Sequence, residues 1–414
     1  MVDRISRIDN FPPEGAALSA AIFRQYIRNG AEAVLARIAS DRAEQRQSVC
    51  DLSLHILGYC LLARAEWPLG RQIILSVAPQ MEQFGYREEW IHCLELCVAW
   101  ARSEEDTAAQ AQIFRILGQL NRLLDRYEAA EKWLLQSVAA FRLSGDARDG
   151  AVALNQLGRV HHLQYRYADA LACASEALTY LDGEDVERAE SHYVLGMVAL
   201  NQRRWADAEE QHQLALDFRL RGEDQRTIGW AYQNLGLVCW MQSEYGKENR
   251  LLEAEKWLRQ AVDMLELLSD PYHLAAAQNN LGWVYKQLGN YQEASRLFQQ
   301  ASTTMRRLGA QRLLAQVYNN LGLLYLQIAE PGRAEDAFRD GVAIYVNLGD
   351  HQSRLNTQHG VVLALLAQKR FGEAAELCER SLAEIDILQG VAEEYEEKRK
   401  WYTASLQKAR QGAA

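Results

Sequence analysis

Apolar residues recur along nearly the whole chain at spacings of three and four, the mark of helices with one buried face. Between residues 15 and 104 this spacing predicts helices at 16–28, 31–38, 46–65, 69–84 and 88–103. From about residue 107 the pattern also repeats. An apolar residue and a Gly fall mid-helix, an aromatic follows nine residues on, Ala three further, and a small residue seven beyond that. Leu157-Gly158 leads to Tyr167, Ala170 and Ala177, and Leu195-Gly196 to Trp205, Ala208 and Ala215. Leu281-Gly282 leads to Tyr291, Ala294 and Ala301, and Leu117-Gly118 to Tyr127, Ala130 and Ser137. Leu321-Gly322 places Pro331 in the aromatic slot, before Ala334 and Gly341. Leu235-Gly236 opens another copy, whose Ala254 and Ala261 arrive six residues late.

The repeated glycines stand at 118, 158, 196, 236, 282 and 322, so the unit is close to 40 residues. A weaker copy has Val362 in the Gly slot, followed by Ala374 and Ser381. Small residues at a fixed phase let two helices cross closely, and such pairs must stack to bury their apolar faces. At these residues the sequence resembles the tetratricopeptide repeat (TPR) family. Its motif has Leu-Gly and Tyr on a first helix (Tyr285, Tyr325) and Ala, Phe, Ala on a second (Phe298, Phe338). The long unit is similar to that of kinesin-light-chain-like arrays and bacterial STAND or regulatory TPR proteins. The resemblance implies an all-α fold: a right-handed TPR superhelix with an irregular N-terminal helical region and a C-terminal capping helix. The expected organisation is a flexible segment 1–14, irregular helices with a degenerate repeat at 15–106, about seven units over 107–390, and a cap and tail at 391–414. Leu57-Gly58, Trp67 and Gly70 carry the degenerate repeat. The late Ala254 implies an insertion near 243–252, read either as a tolerated surface loop or as a functional one.

Composition agrees with this picture. Six prolines in 414 residues, none between Pro79 and Pro271, leave little to interrupt helices. Loops such as 143–146, 308–309 and 348–350 put Gly where left-handed helix caps are expected. The formal charge of −10 argues against direct nucleic-acid binding, which needs a basic surface. No stretch is apolar enough for a membrane span, and the N-terminus lacks the apolar core of a secretory signal. Seven scattered cysteines fit buried thiols, so the expected location is the cytoplasm.

No catalytic or metal-binding motif emerges, and neither an enzyme nor a cofactor is expected. G-x-x-x-x-G-K-S/T, H-E-x-x-H, G-x-S-x-G and C-x-x-C are all absent from the sequence. Cys93 and Cys97 share a helix face, with His92 about 100° from Cys93, so a core role is favoured. His161 occupies a repeat's Tyr slot, which favours a structural role there too.

What remains is surface. In TPR arrays the first helix of each pair lines an inner face, and the resemblance places its inner slots about six and three before the Gly, one or two before it, and one, four and five after it. These slots carry Asn155, Gln233, Asn234, Asn279, Asn280, Asn319 and Asn320, amides suited to gripping the backbone of an extended peptide. The alternative is that they bond neighbouring helices. Trp230, Trp240 and Trp283 are read either as interaction hot spots or as core. Arg115, Arg122, Arg159 and Lys286 are candidates to meet a carboxylate. The expected site is therefore a groove from about 112 to 327. Its ligand is another protein or an extended peptide, with no membrane and no oligomeric state implied.

Three functions fit: a regulatory adaptor or inhibitor, a Rap-like peptide-signal receptor switching a partner held by the N-terminal helices, or the recognition subunit of a separately encoded protease, nuclease or ATPase.

Overall fold

A computed structural model describes residues 13–40, 46–61, 66–84, 87–246, 248–268, 270–388 and 395–413. All but the last two residues of the expected flexible segment 1–14 lie outside these, as do 62–65 and 391–394. Among the described residues the chain is helical and has no strand. It divides into two compact units, Met1–Asp182 and Gly183–Ala414.

The first unit holds α1 (Pro13–Ser40), α2 (Arg46–Cys60), α3 (Trp67–Phe84), α4 (Arg87–Ser103), α5 (Thr107–Leu123), α6 (Tyr127–Ser144), α7 (Ala147–Leu163) and α8 (Tyr167–Tyr180). The two helices predicted at 16–28 and 31–38 are one. Gly30 does not break α1 because it is a contact point: a Cβ there would lie 2.8 Å from Ile56 Cδ1 of α2. Leu57, Ile73, Ile74, Met81, Trp90 and Leu94 close this core without exposure.

The second unit holds α9 (Arg188–Asn201), α10 (Trp205–Gly222), α11 (Gln225–Tyr245), α12 (Leu251–Leu267), α13 (Pro271–Gln287), α14 (Tyr291–Leu308), α15 (Gln311–Gln327), α16 (Pro331–Asn347), α17 (His351–Ala367), α18 (Phe371–Leu388) and α19 (Tyr395–Ala413). Pro271 and Pro331 open α13 and α16, where a missing N–H costs nothing.

From α5 onward the helices pack as consecutive pairs, α5–α6 through α17–α18. The repeat glycines explain the pairing. A Cβ on Gly118 would stand 2.4 Å from Leu134 Cγ, on Gly236 2.6 Å from Leu258 Cγ, on Gly282 2.9 Å from Phe298 Cε1 and on Gly322 2.6 Å from Phe338 Cε1. Each Gly therefore receives a side chain sixteen residues on, or twenty-two across the insertion. Where Val362 replaces Gly, that slot holds the smaller Cys378, fully buried. Phe338 fills two crossings, since a Cβ on Gly360 would also lie 2.4 Å from its ring.

Turns between pairs use left-handed glycines as expected: Gly145, Gly309 and Gly349 have φ of 77°, 68° and 65°. Turns within pairs also need a left-handed residue seven after the Gly, and most are not glycine. Asp125, Tyr165, Arg203, Ala329 and Lys369 have φ between 58° and 62°, and only Gly289 relieves the strain. The insertion instead extends α11 to Tyr245, and α12 begins at Leu251 after Arg250. α19 packs on α17 and α18. Its Tyr402 is fully buried and donates to Leu355 O at 2.7 Å.

Gly322→Ala should destabilise the second unit by about 1–3 kcal/mol through overpacking, despite alanine's better helix propensity. Thermal unfolding followed by circular dichroism checks this, and adding Phe338→Leu should recover part of the loss.

Candidate functional site

Two recurring polar clamps position the first helix of most pairs. The first is an Asp at its N-cap. Asp106, Asp146, Asp224, Asp270 and Asp350 each accept a backbone N–H two or three residues on. Three of them also tie back to the first turn of an earlier helix. Asp106 takes Arg71 and the Trp67 indole, both at 3.2 Å, and Asp350 takes Arg312. Asp270 takes Arg226 Nε at 2.6 Å, the Trp230 indole at 3.1 Å and His273 Nδ1 at 3.0 Å. Asp270 is fully buried. Burial works to raise its pKa, but the charges and hydrogen bonds of His273 and Arg226 outweigh it, so the carboxyl sits well below its usual range.

The second clamp is an Arg just before the second helix. Arg126 reaches Glu88, Arg166 reaches Glu131 and Asp169, Arg250 reaches Glu209 and Glu253, and Arg370 reaches Glu335 and Glu373. Most of these pairs link one repeat to the one before. Arg250 anchors the insertion: it holds Glu209 at 2.7 and 2.9 Å, while its backbone N–H donates to Ser243 Oγ at 2.7 Å. Sequence reasoning missed both clamps. The signal was present in part, as an Arg eight residues after the Gly slot in four of seven copies, Arg126, Arg166, Arg204 and Arg370.

With the helices so fixed, the inner slots fall on two separate units. In the first unit, Arg115 is half-buried and donates to Gln112 Oε1 at 2.7 Å, while Arg122 and Asn155 are buried and Arg159 half-buried. In the second unit the amides divide. Asn234 and Asn279 are buried, and Asn320 Nδ2 donates to Asn279 Oδ1 at 2.9 Å, joining α15 to α13. For that pair the bond runs between neighbouring helices. Gln233, Asn280 and Asn319 stay half-exposed.

The tryptophans divide too. Trp230 is locked into the Asp270 clamp, its ring 4.0 Å from that of His273 and 4.6 Å from the Arg226 guanidinium. Trp240 and Trp283 lie edge to face at 5.8 Å, both half-buried. Lys286 Nζ sits 3.7 Å over the Trp283 ring. Burial lowers its pKa, partly offset by Glu244. Beside them the slots one and four after the Gly hold Leu237, Leu323, Leu326, Leu363 and Leu366, half-exposed leucines that a search for amides, tryptophans and bases overlooked.

Among the described residues, no three His, Cys, Asp or Glu side chains are grouped to hold a metal ion. Cys93 and Cys97 are buried together in the first core while His92 is exposed, and His161 is buried.

The tetratricopeptide repeat family model matches residues 107–182, 245–307 and 287–347. The chain is a tetratricopeptide repeat protein. Among solved structures, this TPR chain is similar to a Rap protein complexed with competence and sporulation factor, at 15% identity over 88% of this chain and 98% of that one, with a TM-score of 0.51. It is also similar to aspartyl phosphate phosphatase F from Bacillus subtilis, at 14% identity over 88% and 93%, with a TM-score of 0.50. A STAND protein with a TPR sensor from Pyrococcus horikoshii is 15% identical over 89% of this chain and 52% of that one, also at 0.50. At these identities the likeness concerns the TPR fold alone. No curated protein matches the chain in sequence. No described helix is long and apolar enough to cross a membrane.

Two expectations follow from the buried groups. Burial pushes the imidazoles of His162 and His359 down to about 4, against about 6.5 in an unfolded chain. Both rings fold neutral, so the unfolded state binds more protons between those values. Their contribution to stability is intact above about pH 6.5 and lost as pH falls toward 4. Thermal midpoints should therefore drop by several degrees from pH 7 to pH 4.5, and less so in His359→Asn for the transition of the second unit. Asp270→Asn should cost the second unit about 3 kcal/mol at neutral pH, read from urea unfolding, because the half-buried Arg226 loses this counter-charge.

Proposed function

We propose that the chain is a non-catalytic scaffold that holds a partner protein or peptide on the inner slots of its first helices, as a regulatory adaptor or inhibitor. The observation that carries this is the half-exposed strip on the second unit. It pairs two tryptophans with leucines and sets Lys286 among them with no ion pair or hydrogen bond among the described residues. Apolar surface of this kind, with aromatic anchors and few charges, is what binding interfaces concentrate at their centres. The hydrogen-bonded amide pair Asn279–Asn320 favours a structural role for that part of the expected ladder, and the half-exposed Asn280 and Asn319 remain to meet a ligand.

A second reading has its own support. The outer faces of α1 and α2 expose Ile22, Phe23, Tyr26 and Tyr59, with Phe23 and Tyr59 edge to face at 6.0 Å. A partner seated there and a peptide on the second unit make a peptide-signal receptor, a reading supported by the similarity to the Rap protein complexed with competence and sporulation factor. The third function, recognition subunit of a separate enzyme, needs the same inner surface.

Co-purification from the native host tests these readings. Tagged wild-type chain should retain a partner that Trp283→Ala/Leu326→Asp loses by tenfold or more, with the circular dichroism spectrum unchanged. Retention by that double variant and loss by Phe23→Ala/Tyr26→Ala would move the binding surface to the N-terminal helices. Asn280→Ala/Asn320→Ala with unchanged retention would remove the amides from the site.

A further inference from the structure

The strip on the second unit has a chemistry narrow enough to describe its occupant. α11, α13, α15 and α17 pack side by side. In a chain that is 24% charged, the inner slots of these four helices carry one charge, Lys286. The others are amides, leucines, tryptophans, a methionine, small residues and His359, whose ring burial keeps neutral. Apolar members recur on all four helices: Leu237 and Trp240 on α11, Trp283 on α13, Leu323 and Leu326 on α15, Leu366 on α17. Each is half-exposed and packed at its base against the core.

Two features separate possible occupants. An extended strand laid on this row would turn its backbone N–H and C=O groups toward leucines and indoles, and such groups need partners when buried. The amides that would serve them are partly spent: Asn234 and Asn279 are buried, and Asn279 already accepts from Asn320. A helix satisfies its own backbone and needs only an apolar stripe. Four helices about 10 Å apart span about 30 Å, which is the length of roughly 20 helical residues. The charge sets the second requirement. The Lys286 ammonium is half-buried over Trp283 with no carboxylate bound to it among the described residues. Glu244 offsets the burial of this cation only in part, and an arriving carboxylate relieves the remaining cost.

Resting on the reading of this surface as a binding site, we infer that its partner presents an amphipathic helix of about 20 residues, with an aliphatic stripe and one acidic side chain that meets Lys286.

The probe is a synthetic 20-residue peptide, acetylated, amidated and fluorescein-labelled. It has Leu at helical i, i+3, i+4 and i+7 spacing, Gln and Ala elsewhere, and a single Glu beside the Leu stripe. Two sister peptides carry either two central prolines or Lys in place of the Glu. Anisotropy titrations use the full chain, Leu323→Asp/Leu326→Asp and Lys286→Glu, each first shown folded by its thermal midpoint. Expected are saturable binding of the Glu peptide, loss of tenfold or more with the prolines, and a similar loss in Leu323→Asp/Leu326→Asp. The Lys peptide should bind wild type about tenfold more weakly and regain affinity on Lys286→Glu. Equal binding of the proline peptide, still dependent on Leu323 and Leu326, overturns the helix and leaves the binding surface standing. Binding without the charge-swap rescue overturns the acidic contact. If no peptide depends on Leu323 and Leu326, the inference and the placement of the surface both fail.

Discussion

The structure depends on how closely the two helices of a pair can approach. That distance is set by one position, where a Gly on the first helix accepts a large side chain from the second. Everything else follows from it. The Ala residues that follow at the start of the second helix, from Ala130 to Ala374, are fully buried because the backbones come near enough to exclude anything larger. The fold tolerates a change at this position only when volume is conserved. Val362 with Cys378 is such an exchange, and Gly196 beneath the buried His212 is the opposite extreme.

Packing fixes each pair, and electrostatics then fixes one pair against the next. The Asp caps and the Arg clamps lie at opposite ends of the first helix, and α5 and α17 are tied to earlier helices at both ends. Segregating ion pairs to the ends leaves Lys286 as the one charge on the inner slots of α11, α13, α15 and α17, and Trp230 shows the boundary: one turn from the cap, it is drawn into the clamp rather than the strip.

The repeat made the fold legible. Gly, aromatic and Ala at fixed offsets name the crossing, and a crossing of that kind has one architecture. Gly30 misled because a mid-helix Gly reads as a break until the neighbour that needs it, Ile56, is known. The candidate site was legible only by slot. Slots locate residues on a face but do not say which neighbours they meet. Asn279 and Asn320 are 41 residues apart, and Trp230 and Asp270 40, so their contacts have no local signature. The leucines were in plain view, yet leucine at helical spacing looks the same whether a neighbour covers it wholly or by half.

Phe338 has a consequence for how the second unit comes apart. Its ring lies under Gly322 of one pair and Gly360 of the next, so opening either crossing empties half of the other. Solenoids are often treated as rows of nearly independent bricks coupled by interfaces. Here one aromatic ring belongs to two bricks at once, which ties their unfolding into a single event. Fraying from the C-terminal end must therefore halt at α18 and α19, or else take α15 through α19 together.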